Sequence, residues 1–370
     1  LVAKKKPDAK SARLDTCLAA IEKSYGKGAV VRFNVKEMAS EKLPGYSTGS
    51  IGLDALTGAN GIPKRCITEF SGKPSCGKTT IALQTIAHAQ LEGENAAFID
   101  FEQEFDPRYA RKLGVDMNKI FISQPAYGEE GLDILQKFLE ARAAGIIVVD
   151  SIANITPRST MENEIGDATW AGRARLLSQA IEQQLVLIRK NDVCVIYLNQ
   201  IRANMNAMKF GPKTDTPGGY AAKHNSGLRV EFSRIGTLKD GERKIGGRTR
   251  AKVLKNRVGG FPYAEAEFDL FHGVGTSLEY EIFDYGVKFG FIKKADKRFT
   301  VNGESIGTGR EKCRQFLKLH PALSLELEKL VRPALEAEYA QPALDELDGP
   351  AEVDPNLDVV TTAVGADEEE

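Results

Sequence analysis

The 370-residue chain is poor in the residues that staple or metallate a protein: five Cys, four His and one Trp. Cys17, Cys66, Cys76, Cys194 and Cys313 stand apart with no C-x-x-C pair. Neither a disulfide frame nor a zinc site is supported, and any metal would arrive with a ligand. No apolar run approaches the roughly 20 residues that span a bilayer. The first stretch, residues 1–13, is basic without an apolar core, so the expected location is the cytoplasm, with no membrane partner. Positive charge is missing from one end: no Lys or Arg follows Arg332, and the chain closes on Asp367-Glu368-Glu369-Glu370. Lys4, Lys5, Lys6, Lys10 and Arg13 crowd the other end. Each end taken alone reads as a solvated tail. The net charge of −1 hides this asymmetry and does not exclude nucleic acid, because binding depends on where positive charge is placed. Hydrophobic content of 42% and charged content of 27% suit one large α/β domain with one or two smaller pieces.

What is present is organised around Gly72-Lys73-Pro74-Ser75-Cys76-Gly77-Lys78-Thr79. This stretch fits the phosphate-binding pattern G-x-x-x-x-G-K-[ST] at every fixed position, and Thr80 extends it. Its flanks supply the required context. Cys66 to Phe70 reads as a buried strand, and Thr79 to Glu92 has apolar residues at helical spacing. Glycines let consecutive N–H groups turn inward on phosphate oxygens, and the helix start adds its unpaired donors. Lys78 is placed to reach the β- and γ-phosphates, and the Thr79 hydroxyl to hold Mg²⁺. The expected cofactors are ATP and Mg²⁺.

Strand and helix patterns then alternate as far as residue 150, which argues a mostly parallel sheet with helices on both faces. Ligands in such sheets sit at the carboxyl ends of the strands. Ile146-Ile147-Val148-Val149 closes on Asp150, placed as the acid that holds Mg²⁺. Phe98-Ile99-Asp100-Phe101 leads to Glu102, a carboxylate that could deprotonate an attacking water, with Glu104 and Asp106 as rivals at similar spacing. The strand at 193–197 runs on to Gln200, whose neutral amide could sense a γ-phosphate; the plainer reading is a polar strand end.

Other segments are less regular. Leu14, Leu18, Ile21 and Tyr25 form a short apolar stripe ending at Gly26, with a short strand expected at Val30 and Val31. That stripe must be buried on its own domain or on a neighbouring subunit. Residues 157–169 are polar and feed a long helix from about Trp170 to Arg189. Residues 202–220 hold Met205, Met208, Lys209, Phe210 and Lys213 with neither helical nor strand period. Long loops of this kind are functional or mobile. Basic, aromatic and thioether side chains suit single-stranded nucleic acid, and the plain alternative is a surface loop.

In order along the chain, Ser47-Thr48-Gly49-Ser50, the phosphate loop, Phe98 to Asp106, Tyr109 to Asp116, Glu164-Ile165-Gly166-Asp167, Asn199-Gln200-Ile201-Arg202, Gly218-Gly219 and Lys255-Asn256-Arg257 resemble the RecA recombinases of bacteria. The resemblance covers roughly residues 14–335. It implies a RecA-type P-loop core with a mostly parallel central sheet, a small N-terminal helix and strand unit, and a small α/β C-terminal domain. The implied boundaries are 1–36 for an N-terminal oligomerisation unit and 37–275 for the core with DNA loops at about 157–170 and 201–220. A C-terminal domain at 276–338 and an acidic disordered tail at 339–370 follow. The implied activity is an ATP-dependent helical filament on single-stranded DNA that searches duplex DNA for homology and exchanges strands. Co-protease action in the SOS response, with repressor and filament-loading proteins as partners, belongs to the same family.

By the same resemblance Tyr109 stacks on adenine beside Asp106. Gln200 couples the γ-phosphate to the second DNA loop, and Lys255 and Arg257 reach a neighbouring subunit's ATP. Arg173, Arg175, Arg202, Met208, Lys209, Phe210, Gly218 and Gly219 meet DNA. The N-terminal helix packs on the next subunit. The chain departs from the pattern at Arg257, where Lys is common, and at His272, where a Tyr meets the adenine of the neighbouring subunit. It also departs at Trp170, often Met, which is expected to wedge between bases, against the plainer reading that it begins the helix's apolar face. Cys76, at a helix start, is a candidate for a lowered thiol pKa, against the plainer reading of a tolerated small residue. Lys293, Lys294, Lys297, Arg298, Arg310, Lys312 and Arg314 could offer duplex DNA a basic surface. The alternatives are a RecA-fold hexameric helicase and a DNA-coating protein that binds ATP as a structural ligand.

Overall fold

The computed structural model describes residues 9–26, 29–30, 43–162, 170–203, 214–215 and 219–340. The chain divides into two units, Leu1–Lys42 and Leu43–Glu370. In the first, helix α1 (Ala9–Tyr25) stops at Gly26, whose φ of 90° is left-handed. Of the strand expected at Val30 and Val31, Val31 lies outside the described residues.

The second unit opens with a two-strand ladder of β1 (Gly45–Tyr46) and β2 (Ile62–Pro63), joined through helix α2 (Ile51–Thr57). Then come β3 (Ile67–Gly72), α3 (Lys78–Leu91), β4 (Ala96–Asp100), α4 (Pro107–Lys112), β5 (Ile120–Ser123), α5 (Gly128–Ala141) and β6 (Ile146–Asp150). Next are α6 (Arg158–Glu162), α7 (Trp170–Lys190), β7 (Cys194–Gln200), β8 (Arg202–Ala203), β9 (Thr214–Asp215) and α8 (Gly219–Asn225). The hairpin of β10 (Ser226–Asp240) and β11 (Arg243–Asn256) leads to β12 (Glu265–Phe271) and β13 (Gly275–Thr276). The C-terminal piece holds α9 (Leu278–Lys288), β14 (Lys293–Ala295), β15 (Arg298–Val301), β16 (Glu304–Thr308), α10 (Arg310–Leu319) and α11 (Pro321–Ala340).

Among the described residues nine strands form one sheet in the order β13-β12-β11-β10-β3-β7-β6-β4-β5. Pairing is parallel from β10 to β5 and antiparallel from β10 to β13. Period-two alternation sends Phe98, Val148 and Ile196 to the face covered by α3, and Ile99, Val149 and Tyr197 to the face covered by α5 and α7. Strands buried on both faces must read as continuous apolar runs, as Ile146 to Val149 does. Their carboxyl ends bring Gly72, Asp100, Asp150 and Gln200 to one edge. The two irregular segments contain local order: α6 lies in the first, and β8 pairs with β9 in the second. The β8–β9 ladder leaves no period in the sequence of 202–220 because a two-residue backbone ladder needs no side-chain alternation.

A third core cluster joins Ile51 and Ala55 of α2 to Ile282, Ile292, Val331 and Leu335 of the C-terminal piece. Glu281 pins this junction. It is 3% exposed, and its Oε2 accepts from Ser50 Oγ at 2.9 Å and Gly52 N at 3.0 Å. Its Oε1 is buried without a partner among the described residues. Burial, with the nearby charges of Asp54 and Asp284, pushes its pKa up to about 8 from the usual 4.5. The folded chain therefore holds a proton here that the unfolded chain has lost, and stability falls as pH rises across that window. Glu281→Gln keeps an acceptor for Ser50 and Gly52 without the charge. Its melting temperature should match the parent at pH 5 and exceed it at pH 9; equal melting at pH 9 would count against a buried proton.

Candidate active site

The loop from Gly72 to Gly77 joins a fully buried β3 to α3. Gly77, the N-cap, has a left-handed φ of 101° that strains any residue with a Cβ, and a Cβ there would also displace the Leu270 side chain, 2.1 Å away at Cδ1. Ser75 also takes a left-handed φ, 59°. Lys78 is 8% exposed, and its Nζ donates to the carbonyls of Gly72 at 3.1 Å and Lys73 at 3.0 Å. The ammonium is thus held over the loop by weak neutral acceptors that a phosphate would outcompete.

Thr79 Oγ1, in the first turn of α3, donates to Asp150 Oδ2 at the end of β6 at 3.0 Å. Burial, then the negative charges of Glu102 and Asp100, push Asp150 up to about 7, opposed by the Thr79 hydrogen bond and Lys78. A hydroxyl and a carboxylate are the hard oxygen donors that Mg²⁺ takes, and a crowded carboxylate is relieved by a cation. No group of three His, Cys, Asp or Glu among the described residues could hold a metal alone. The donor set therefore fits Mg²⁺ shared with phosphate oxygens.

Three strand ends meet at Glu102. Its Oε1 accepts from Gln200 Nε2 at 2.6 Å and from Ser151 Oγ at 2.6 Å. Of the rival carboxylates, Glu104 is exposed, and Asp106 caps α4, accepting from Arg108 N at 2.8 Å. That backbone bond holds the Asp106 carboxyl below its ordinary range. Glu102 alone of the three joins Gln200. Sequence reasoning misses Ser151; only its place directly after Asp150 signals it.

Beside the loop is a cavity of about 200 Å³, walled by Ser75, Cys76, Gly77, Thr80, Tyr109 and His272 among others. Tyr109 Oη and Thr80 Oγ1 are 2.8 Å apart, which fixes the ring at the cavity edge. His272 lines this cavity, because β12 runs alongside β11 and ends next to the loop. Cys76 is 2% exposed and burial raises its thiol pKa despite Lys78, so it is not an activated nucleophile.

Lys255 and Arg257 are absent from the lining of that cavity. Lys255 Nζ donates to the carbonyls of Lys223 at 3.0 Å and His224 at 2.6 Å, the last turn of α8. Burial, then Arg257 and Arg229, lower its pKa. Of the DNA candidates, Arg173 Nη1 donates to Ala153 O at 2.7 Å and Arg175 is exposed on α7. Trp170 opens α7, Arg202 opens β8 and Gly219 opens α8. Met208, Lys209, Phe210 and Gly218 lie outside the described residues.

In the C-terminal piece Lys293, Lys294, Lys297, Arg298 and Lys312 are exposed. Arg310 instead binds Asp269 and Asp284, and Arg314 binds Glu311 at 2.8 Å. Those two arginines are spent on internal pairs and drop out of the expected basic surface.

The family model for the RecA N-terminal domain matches residues 12–277, and that for the RecA C-terminal domain matches residues 280–336. Protein RecA of a Nitratiruptor species is 44% identical over 326 residues, 88% of this chain and 94% of that protein. Protein RecA of a Sulfurovum species is 42% identical over 326 residues, 88% and 93% of the two chains. Protein RecA of Rickettsia bellii is 44% identical over 315 residues, 85% and 91%.

Proposed function

The chain belongs to the RecA family, and from that premise we propose that it is a DNA-dependent, Mg²⁺-assisted ATPase whose nucleotide state controls its grip on DNA. At the coarser level it is a nucleotide-binding recombinase of DNA recombination and repair that binds DNA and self-associates. No helix among the described residues is long and apolar enough to cross a membrane.

In this reading Lys78 leaves the carbonyls of Gly72 and Lys73 for the β- and γ-phosphates. Thr79 and Asp150 hold Mg²⁺, which when bound neutralises charge on the phosphates. Tyr109 packs on the base, and Asp106 holds the start of α4 against it. Glu102 orients a water and takes its proton. The observation that carries the coupling is the 2.6 Å bond from Gln200 to Glu102. A γ-phosphate that draws the Gln200 amide away would free Glu102 and, two residues on, shift the start of the second DNA loop at β8. That is a two-state element biased by both ligands.

The last turn of α8, the helix that follows this loop, accepts from Lys255 of β11. If Lys255 and Arg257 serve a neighbouring subunit's nucleotide, Lys255 must first leave that helix end. The N-terminal unit packs on the next subunit of a helical filament, the C-terminal piece faces duplex DNA, and the acidic tail expected from 339 starts only after Ala340, because Tyr339 and Ala340 belong to α11 and Tyr339 packs on Phe261. ATP turnover with and without single-stranded DNA, with Lys78→Ala as control, tests the reading. Strong stimulation abolished in the variant is expected; turnover indifferent to DNA would break the link from Gln200 to the loop.

A further inference from the structure

Arg234 is an exposed residue of β10, next in line after the buried Val230 and Phe232 on the same face of the strand. Along β10, Val230, Phe232 and Arg234 share one face, and opposite them in register on β11 are Val253, Ala251 and Thr249. All five partners of Arg234 on that face are buried. The register slips immediately after Arg234, where Ile235 is left unpaired, and such bulges re-aim a side chain. The guanidinium lies across Gly247, where a Cβ would come within 2.8 Å of Nε and 3.1 Å of Cζ. Its Nη2 donates to Gly246 O at 3.1 Å and its Nε to Gly236 O at 3.3 Å.

This seat opens on the cavity beside the phosphate loop. Thr249, the register partner of Arg234, donates from Oγ1 to Cys76 O at 3.3 Å, so the hairpin backs directly onto the loop. The cavity wall contains no carboxylate, and Arg234 is its one permanently charged side chain among the described residues. No carboxylate among those residues makes an ion pair with it either. Two carbonyls satisfy two donors but leave the charge uncompensated. An anion in the cavity would complete it.

We propose that Arg234 is a second cation of the nucleotide site, supplied by the same chain as the loop, that contacts the anionic part of the bound nucleotide. The proposal rests on the reading of the loop as that site. Binding of fluorescent ATP and ADP analogues to the full chain, at low and high salt, tests it. Arg234→Gln should weaken both nucleotides about 10-fold or more and flatten the salt dependence. Arg234→Lys should recover part of the loss. Gly247→Ala, which pushes the guanidinium from its seat with the charge retained, should also weaken binding.

Unchanged affinity in Arg234→Gln, with Lys78→Ala abolishing binding, would overturn the proposal and spare the loop. A lower melting temperature with unchanged affinity would make Arg234 a clamp on the bulge and overturn it equally. Normal binding in Lys78→Ala would instead remove the nucleotide reading itself, and the proposal with it.

Discussion

Glu102→Gln should lower DNA-stimulated ATP turnover by about 10²- to 10⁴-fold, the usual range for loss of a positioned general base. Gln is the same size and keeps an acceptor for Gln200 Nε2 and Ser151 Oγ, both now 2.6 Å from Glu102 Oε1. The fold and the coupling contact therefore survive while the proton acceptor is lost. Nucleotide affinity, set by the loop and Lys78, should hold within a few-fold of the parent. Single-turnover hydrolysis alongside equilibrium nucleotide binding separates the two. A variant that hydrolyses ATP within about 10-fold of the parent would move the base elsewhere. Exposed Glu104 would then be the next carboxylate to replace, since Asp106 is committed to capping α4.

The largest loss of stability is expected from Arg229→Met. Glu69, on β3 three residues before the loop begins, is 0% exposed, and it is held by Arg229 on the neighbouring β10 and by Asn199 Nδ2 at 2.7 Å. Truncating Arg229 leaves a buried carboxylate with one neutral donor, which costs about 3–5 kcal/mol. Arg229 stands in register with Lys255, so the same pair underlies the candidate trans cation. Denaturant unfolding should show the loss. Adding Glu69→Gln should restore most of it, because the penalty belongs to the unpaired charge rather than to the missing contact. A double variant no more stable than Arg229→Met would assign the cost to packing instead.

Much of the sheet is readable from local pattern. Four aliphatics closing on Asp150, and Cys66 to Phe70 running into a glycine loop, are signals that a few adjacent residues carry in full. The α3 start is equally legible, since Gly77 must take a positive φ and packs against Leu270. Asp150 beside Thr79 follows from the same logic, because parallel neighbours deliver their carboxyl ends to one edge. Other features have no local signal. Glu102, Glu104 and Asp106 are nearly indistinguishable by spacing, and what separates them is which one meets Ser151 and Gln200. Arg310 and Arg314 resemble free surface charge in the sequence, yet their acids come from β12 and α9 for one and from the same helix for the other. Cys76 reads as a helix-start thiol, whereas its pKa depends on burial beneath the loop.

The phosphate loop, the strand and helix order around it and the chain's family are all encoded by residue types at short, fixed spacings, so the linear chain is enough to establish them. Folding was needed to show that Gln200 touches Glu102, that Lys255 rests on the end of α8, that His272 lines its own chain's cavity and that Arg234 faces the loop. Gln200 and Glu102 are 98 positions apart, and Lys255 and Lys223 are 32 apart. The chemistry of such pairs depends on burial and distance, properties of packing that no spacing along one strand or helix can carry.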